Sequence, residues 1–325
     1  MGERPSEFEI IERYFSLGVP SAWPSQGIGD DCAFLDIGAT RVAVTTDTSA
    51  IGTHYLPDAD PWTVGYKALA VNLSDLAAAG STPRAFFLAL SLPQSDPDWL
   101  ERFSAGLKLA ASRYHCALLG GDTTKTVRIG DQCAPAVITI TALGEVKKGL
   151  TRGGARPGDD IWVSGTIGDA YAALMFRTGQ WAGTCPAELA RRMDCPTPRV
   201  ELGEFLEPLA SACADISDGL LQDLGHILKR SGVGARLYPE ALAVSDALAQ
   251  VPHERRLQAQ LAGGDDYELV FTAPEALRPD IVAYAVRSRL SLSRIGKIVS
   301  EKNLLVCKPD GTPIPCRFAG FDHFR

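Results

Sequence analysis

Five short polar clusters set aspartate beside glycine, serine or threonine. They read Gly27-Ile28-Gly29-Asp30-Asp31, Thr45-Thr46-Asp47-Thr48, Asn72-Leu73-Ser74-Asp75, Gly120-Gly121-Asp122-Thr123-Thr124 and Asp215-Ile216-Ser217-Asp218-Gly219. Each abuts an apolar run, which predicts a carboxylate at a strand end or on the inward face of a helix. Carboxylates gathered in one place repel each other by several kcal/mol unless a cation lies between them. Mg²⁺ suits such a site, because it takes one or two carboxylates, several waters and phosphate oxygens. The pattern predicts a site for several metal ions and a polyphosphate, which is the equipment of phosphoryl transfer.

Within the first cluster, Asp30 and Asp31 point to opposite sides of an extended segment, and Asp31 is the preferred ligand; a β-turn with solvated aspartates is the alternative. Thr45-Thr46-Asp47 is expected to close a strand, where it could bind metal or cap a helix. Asn72 and Asp75 share a helix face at i and i+3, so Asp75, set among Leu73, Leu76 and alanines, needs a partner. That partner is a metal or a neighbouring loop amide. Gly120-Gly121-Asp122 is expected in a loop that approaches phosphate. Asp215 to Gly219 falls where a strand meets a helix, with Ser217 as the expected cap and Asp218 free to reach a metal. There is no P-loop and no Gly-x-Gly-x-x-Gly after a strand, so metals, glycine amides and a few cations must hold any phosphate.

The elements that carry these clusters are readable in outline. A helix is expected over 6–17, strands over Arg41–Thr46 and Ala85–Leu92, and between them a long helix from Pro61 that Gly80 stops. A helix over Pro97–His115, capped by Asp96, leads to a short strand Ala117–Leu119 and a strand Ala134–Glu145. A Gly-, Pro- and charge-rich stretch over 147–160 marks the change between an N-terminal domain (1–148) and a C-terminal domain (149–325). Beyond it come strands Asp160–Ser164, Ser211–Ala214, Tyr267–Thr272, Arg294–Ile298 and Leu304–Cys307. Helices are expected after Gly168, near 186–194 and 199–211, and over Ser217–Lys229. Alternating strands and helices make this an α/β (α+β) protein.

With 46% hydrophobic and 22% charged residues the chain is an ordinary globular one, and its net charge of −7 argues against a nucleic-acid surface. Its eight cysteines form no Cys-x-x-Cys pair, as expected of free thiols in a reducing cytoplasm. No apolar run approaches membrane-spanning length.

Taken in order, Gly-Ile-Gly-Asp-Asp-Cys-Ala, Thr-Asp-Thr, Tyr-Lys-Ala-Leu-Ala-Val-Asn-Leu-Ser-Asp-Leu-Ala-Ala, Gly-Gly-Asp-Thr-Thr, Leu-Thr-Arg, Asp-Ile-Ser-Asp-Gly-Leu and Gly-Gly-Asp-Asp-Tyr-Glu-Leu resemble the thiamine-monophosphate kinases, from about Glu7 to the Gly320-Phe321 tail. The resemblance implies the two-domain architecture of aminoimidazole ribonucleotide synthetase, with N-terminal domains pairing into a barrel-like homodimer. It implies ATP-dependent phosphorylation of thiamine monophosphate assisted by several Mg²⁺ ions, with no covalent nucleophile and no general base. By motif, it implies metal ligation by Asp30, Asp31, Thr45, Thr46, Asp47, Asp75, Asp122, Asp215 and Asp218. Gly121, Asp122, Arg152 and Ser217 would contact ATP, and His54, Asp265 and Phe321 thiamine monophosphate. One position departs from the family pattern: relatives often carry Glu where Asp265 stands. Selenophosphate synthetases, which use a reactive N-terminal Cys or selenocysteine, fit less well, as does a catalytically silent nucleotide-sensing dimer, which would have lost metal aspartates.

Overall fold

A computed structural model describes residues 6–15, 25–129, 132–314 and 320–321. Its first sheet takes β1 (Ser25–Gln26), β2 (Ala33–Ile37), β3 (Thr40–Ala50), β4 (Thr82–Leu92) and β5 (Ala117–Lys125). It passes over a small separate pair, β6 (Arg128–Ile129) and β7 (Gln132–Cys133), and is completed by β8 (Val137–Val146). The strand order is β1-β2-β3-β8-β4-β5, antiparallel except where β4 and β5 run parallel. The second sheet takes β9 (Asp160–Ser164), β10 (Ala212–Asp215), β11 (Gly234–Leu237), β12 (Leu269–Ala273), β13 (Leu292–Val299) and β14 (Leu304–Val306), in the order β10-β12-β9-β13-β11-β14. Both sheets are open.

The helices are α1 (Glu7–Ile10), α2 (Pro61–Ala78), α3 (Pro97–Arg113), α4 (Asp169–Arg177), α5 (Ala187–Asp194), α6 (Val200–Leu206), α7 (Leu220–Ser231), α8 (Asp246–Ala249), α9 (His253–Ala262) and α10 (Arg278–Ser288). None of the described helices is long and apolar enough to cross a membrane.

Helix α2 is the centre of the molecule. Asp60 caps it by accepting from the Trp62 amide at 2.9 Å, and Pro61 fills the first turn, where a missing N–H costs nothing. Its residues are buried nearly all round, because the first sheet lies on one side and the second on the other. Gly65 and Gly106 let α2 and α3 touch backbone to backbone: a Cβ on Gly65 would lie 2.0 Å from the Phe103 carbonyl oxygen. Strands β9 and β12 are buried on both faces. Their alternate residues enter two cores, Trp162, Leu269 and Phe271 packing towards α2, and Ile161, Val163 and Val270 towards α7.

Several expected boundaries shift. The expected strand Arg41–Thr46 continues to Ala50, because β8 supplies partners as far as Val137, so Thr45-Thr46-Asp47 lies inside β3 and does not close it. Gly120-Gly121-Asp122 is not a loop, since β5 runs through it in register with Phe87, Leu88 and Ala89 of β4. Ser217 caps no helix: α7 starts at Leu220, and the amides of Asp218 and Gly219 donate to the Asp223 carboxylate, at 3.2 and 3.0 Å. The expected 6–17 helix becomes the short α1 followed by a wider π turn over Ile11–Phe15, with 16–17 outside the described residues. The sequence reading missed β2, β11 and α8 to α10 altogether.

Candidate active site

The site is assembled where α2 crosses the end of β10. Ser74 donates to Asp215 at 2.7 Å, and Thr45, on the inward face of β3, donates to Asp75. These contacts help bring Asp31, Asp75 and Asp215 together, with one carboxylate oxygen of each within 4.8 Å of the other two. Asp47 bonds Asp75 from the same face of β3. Among the described residues Arg152 is the one cation whose contact with this group is direct, its guanidinium lying 2.6 Å from Asp31.

Four carboxylates against one guanidinium cannot all stay ionised in a dry pocket. Burial, with Asp31 and Asp47 adding repulsion, pushes Asp215 up to about 8. Burial, then Asp47, Asp215 and Asp31, holds Asp75 well above the usual carboxylate range. Asp47 is raised mainly by burial, and Asp31 is also raised by burial although Arg152 opposes it. All the donors are hard oxygens, so the set fits a hard divalent cation such as Mg²⁺ and offers nothing to a soft metal. The Nε of Arg152 is buried without a hydrogen bond, as expected of a guanidinium that has a further anionic group to meet.

The other residues singled out in the sequence fall around this centre unevenly. Asp30 faces away from Asp31, accepting from the Arg152 amide at 2.8 Å and from Gln26 at 3.0 Å, with Arg230 3.8 Å away. Thr46 lies on the opposite face of β3 from Thr45 and Asp47, bonded to Thr141 at 3.0 Å, as a two-residue repeat requires. Asp122 and Gly121 lie far off. Asp47 faces Ile140, Ile140 faces Leu88 and Leu88 faces Gly121, so three strand spacings, roughly 14 Å, separate them within one chain. A Cβ on Gly121 would lie 1.8 Å from the Leu88 oxygen, because at φ 153° it would point towards the paired strand β4.

The 215–219 and 263–268 segments run as a bonded pair. Ile216 and Asp265 donate to the carbonyls of Glu268 and Ser217, and Tyr267 donates to that of Ile216. Phe321 joins by donating to the Asp218 carbonyl at 3.0 Å. Gln222 ties this together, its amide donating to the Phe321 carbonyl at 2.8 Å and to the Asp218 carboxylate at 3.1 Å. Asp265 is held by Lys67 of α2 at 2.5 Å. His54 sits in the turn after β3, its Nδ1 accepting from the Ala50 amide at 3.1 Å. Ser74, Asp223, Gln222, Lys67 and Tyr267 were missed in the sequence. Ser74 could have been found, since it adjoins Asp75 on the same helix, and Asp223 caps amides only four and five residues before it; Lys67 and Gln222 have partners in Asp265 and Phe321 that are remote in the chain.

Two family models match the chain: AIR synthase related protein, N-terminal domain, over residues 29–146, and AIR synthase related protein, C-terminal domain, over 156–306. The thiamine-monophosphate kinase of Escherichia coli K12 is 43% identical over 98% of both chains, and that of Salmonella typhimurium 42% over 98% of both. The chain belongs to the thiamine-monophosphate kinase family. The crystal structure of the family member from Stenotrophomonas maltophilia K279a is 40% identical, covers 95% of this chain and 98% of its own, and superposes with a TM-score of 0.78. AaThiL complexed with AMPPCP and TMP is 31% identical over 98% of this chain and 97% of its own, with a TM-score of 0.84. Among thiamine-monophosphate kinases, then, this chain shares both the sequence and the two-domain α/β fold over nearly its full length.

Proposed function

We propose that this chain transfers the γ-phosphoryl group of ATP to thiamine monophosphate, forming thiamine diphosphate and ADP. The observation that carries this reading is the Asp31–Asp75–Asp215 cluster, with Asp215 buried and the other two half-buried, lying beside the paired 215–219 and 263–268 segments in a member of this family. A phosphate oxygen of thiamine monophosphate is the nucleophile. With a second pKa of about 6 it is already deprotonated at neutral pH, so neither a general base nor a phospho-enzyme is needed. The chain's task is to bring two polyanions into line.

Asp31, Asp47, Asp75 and Asp215 are the groups that would hold Mg²⁺, with Thr45 orienting Asp75 and with Asp218 as a further candidate ligand; Asp30 and Thr46 face away from this group. Bound Mg²⁺ supplies positive charge that offsets the repulsion between the phosphates. Arg152 and Ser217 fall to the ATP side. His54, Asp265 and Phe321 fall to the thiamine side, where an acidic group and an aromatic face suit a cationic thiazolium.

The chain works as a homodimer in this reading. Edge strand β5 is exposed along its whole length, with Leu118 and Leu119 52% and 65% exposed, and α3 beside it leaves an apolar groove of about 850 Å³. A second copy pairing there would cover this edge in a barrel-like arrangement. It would also explain how Gly121 and Asp122, remote from the cluster in one chain, serve a site: they would serve the partner's. The enzyme is placed in the cytoplasm, and its two domains change over near 148/149.

ADP release from ATP and Mg²⁺, with and without thiamine monophosphate, tests the activity. Turnover that requires thiamine monophosphate and collapses in Asp47→Asn is expected. No stimulation by thiamine monophosphate would refute it.

A further inference from the structure

Lys67 is a lysine in an unusual place: on the central helix α2, 7% exposed, with apolar and small residues Gly65, Ala68, Leu69 and Ala70 around it in sequence. A buried ammonium must be paired, and its partner is Asp265 at 2.5 Å. Lys67 precedes Asp75 by two helical turns, about 12 Å along α2, so one helix addresses both the acidic cluster and Asp265. A small pocket opens beside the pair, lined by Tyr55, Leu56, Lys67, Met193 and Asp194, one residue from His54.

The backbone around Asp265 is held in a conformation that non-glycine residues avoid. Asp265 and Tyr267 both lie in the left-handed region, at φ 74° and 53°. Asp266 between them accepts from the amides of Gly168 and Ala170 at the start of α4, at 2.5 and 3.1 Å. Strain of this kind persists only where the surroundings over-determine it. Here it turns the Asp265 side chain towards α2 while Tyr267 bonds it from its own segment.

We propose that Lys67 is a positioning residue for substrate binding: its ammonium holds the Asp265 carboxylate in a fixed direction, facing the cationic thiazolium of thiamine monophosphate. This deepens the kinase reading and rests on it. The charged and titratable groups facing Asp265 are Lys67 from α2, Tyr267 from its own segment and Asp194 from α5. Burial raises the Asp265 carboxyl above its usual range, Lys67 and Tyr267 draw it down, and Asp194 opposes them. Without Lys67 the carboxyl takes up a proton more readily and loses its fixed direction.

Steady-state kinetics of the full chain at saturating ATP and Mg²⁺, from pH 6 to 9, test this. Lys67→Met is expected to raise the KM for thiamine monophosphate at least tenfold over wild type, and more at pH 6.5 than at pH 8.5. The KM for ATP should move less than twofold, and Lys67→Arg should recover most of the loss. Adding Lys67→Met to Asp265→Asn should change nothing further. A Lys67→Met penalty that survives in full on the Asp265→Asn background, or that scales kcat and both KM values alike at every pH, overturns the inference. Should Lys67→Met alone not fold, the double variant leaves no unpaired buried charge. Its binding of thiamine monophosphate is then compared with that of Asp265→Asn; equality supports the inference and weaker binding overturns it. A wild-type chain unaffected by thiamine monophosphate overturns the kinase reading and this inference with it, whereas the variant patterns overturn the inference alone.

Discussion

Replacing Asp215 by Asn should stabilise the metal-free protein while destroying its response to Mg²⁺. Asp215 faces Asp31 and Asp75 with carboxylate oxygens within 4.8 Å. At an effective dielectric of about 20 each such pair repels by about 3.5 kcal/mol, so two pairs approach about 7 kcal/mol before Arg152 offsets part of it. Holding a proton is less costly. With the group raised from 3.8 to about 8, keeping it neutral at pH 7 costs about 4 kcal/mol, so the metal-free cluster carries protons. Such a carboxyl binds more protons folded than unfolded between those two pH values. Its contribution to stability therefore falls as pH rises from about 3.8 to about 8 and is level beyond. An amide at 215 keeps an acceptor for Ser74 and carries no charge. In chelator at pH 7.5 the variant should gain up to about 4 kcal/mol, several degrees in melting temperature. At pH 4 the gap should close. Added Mg²⁺ should raise the melting temperature of the wild type, by about 2.7 kcal/mol at a hundredfold excess over Kd, and leave the variant nearly unmoved. Thermal melts across pH, with EDTA or with Mg²⁺, read all three. A variant less stable than wild type in EDTA at pH 7.5, or a gap that persists undiminished at pH 4, would refute the reasoning.

Metal binding by the same cluster should release protons below pH 8, and calorimetry in buffers of different ionisation enthalpy would detect the release. Gly65→Ala should destabilise the fold by about 1–3 kcal/mol, because its Cβ would lie 2.0 Å from the Phe103 carbonyl at the α2–α3 crossing; chemical denaturation measures it. Gln222→Leu should raise the KM for thiamine monophosphate several-fold with little change in that for ATP, since it leaves Phe321 held to Asp218 by its backbone amide alone, and an unchanged KM would count against the docked tail. Leu119→Lys, on the exposed edge strand, should leave a monomer in sedimentation experiments if β5 is the surface that pairs.

The clusters at 27–31, 45–48, 72–75 and 215–219 were visible because polar residues interrupt apolar runs, and the α/β character followed from the alternation of strand and helix patterns. What failed was local context. The Gly-Gly-Asp run reads as a loop from its composition, yet β4 supplies a parallel partner that carries β5 through it. Ser217 reads as a cap, yet Asp223, a turn inside the helix, takes the free amides.

Residue types and their short-range spacing determined by themselves that this chain gathers hard oxygen ligands, and in the order Asp31, Asp47, Asp75 and Asp215 they carried the family. Periodicity determined that Asn72 and Asp75 share a face of an apolar helix, and that Asp30 and Asp31 point opposite ways. Only the tertiary structure decided which carboxylates meet. Asp75 and Asp215 are far apart in the chain and come together because α2 packs on β10. Asp122, in an equally suggestive motif, is carried three strands away. The pairing of Lys67 with Asp265, nearly 200 residues apart, has no local signature at all. Repulsion among buried carboxylates depends on distance in space, which spacing along a chain does not determine.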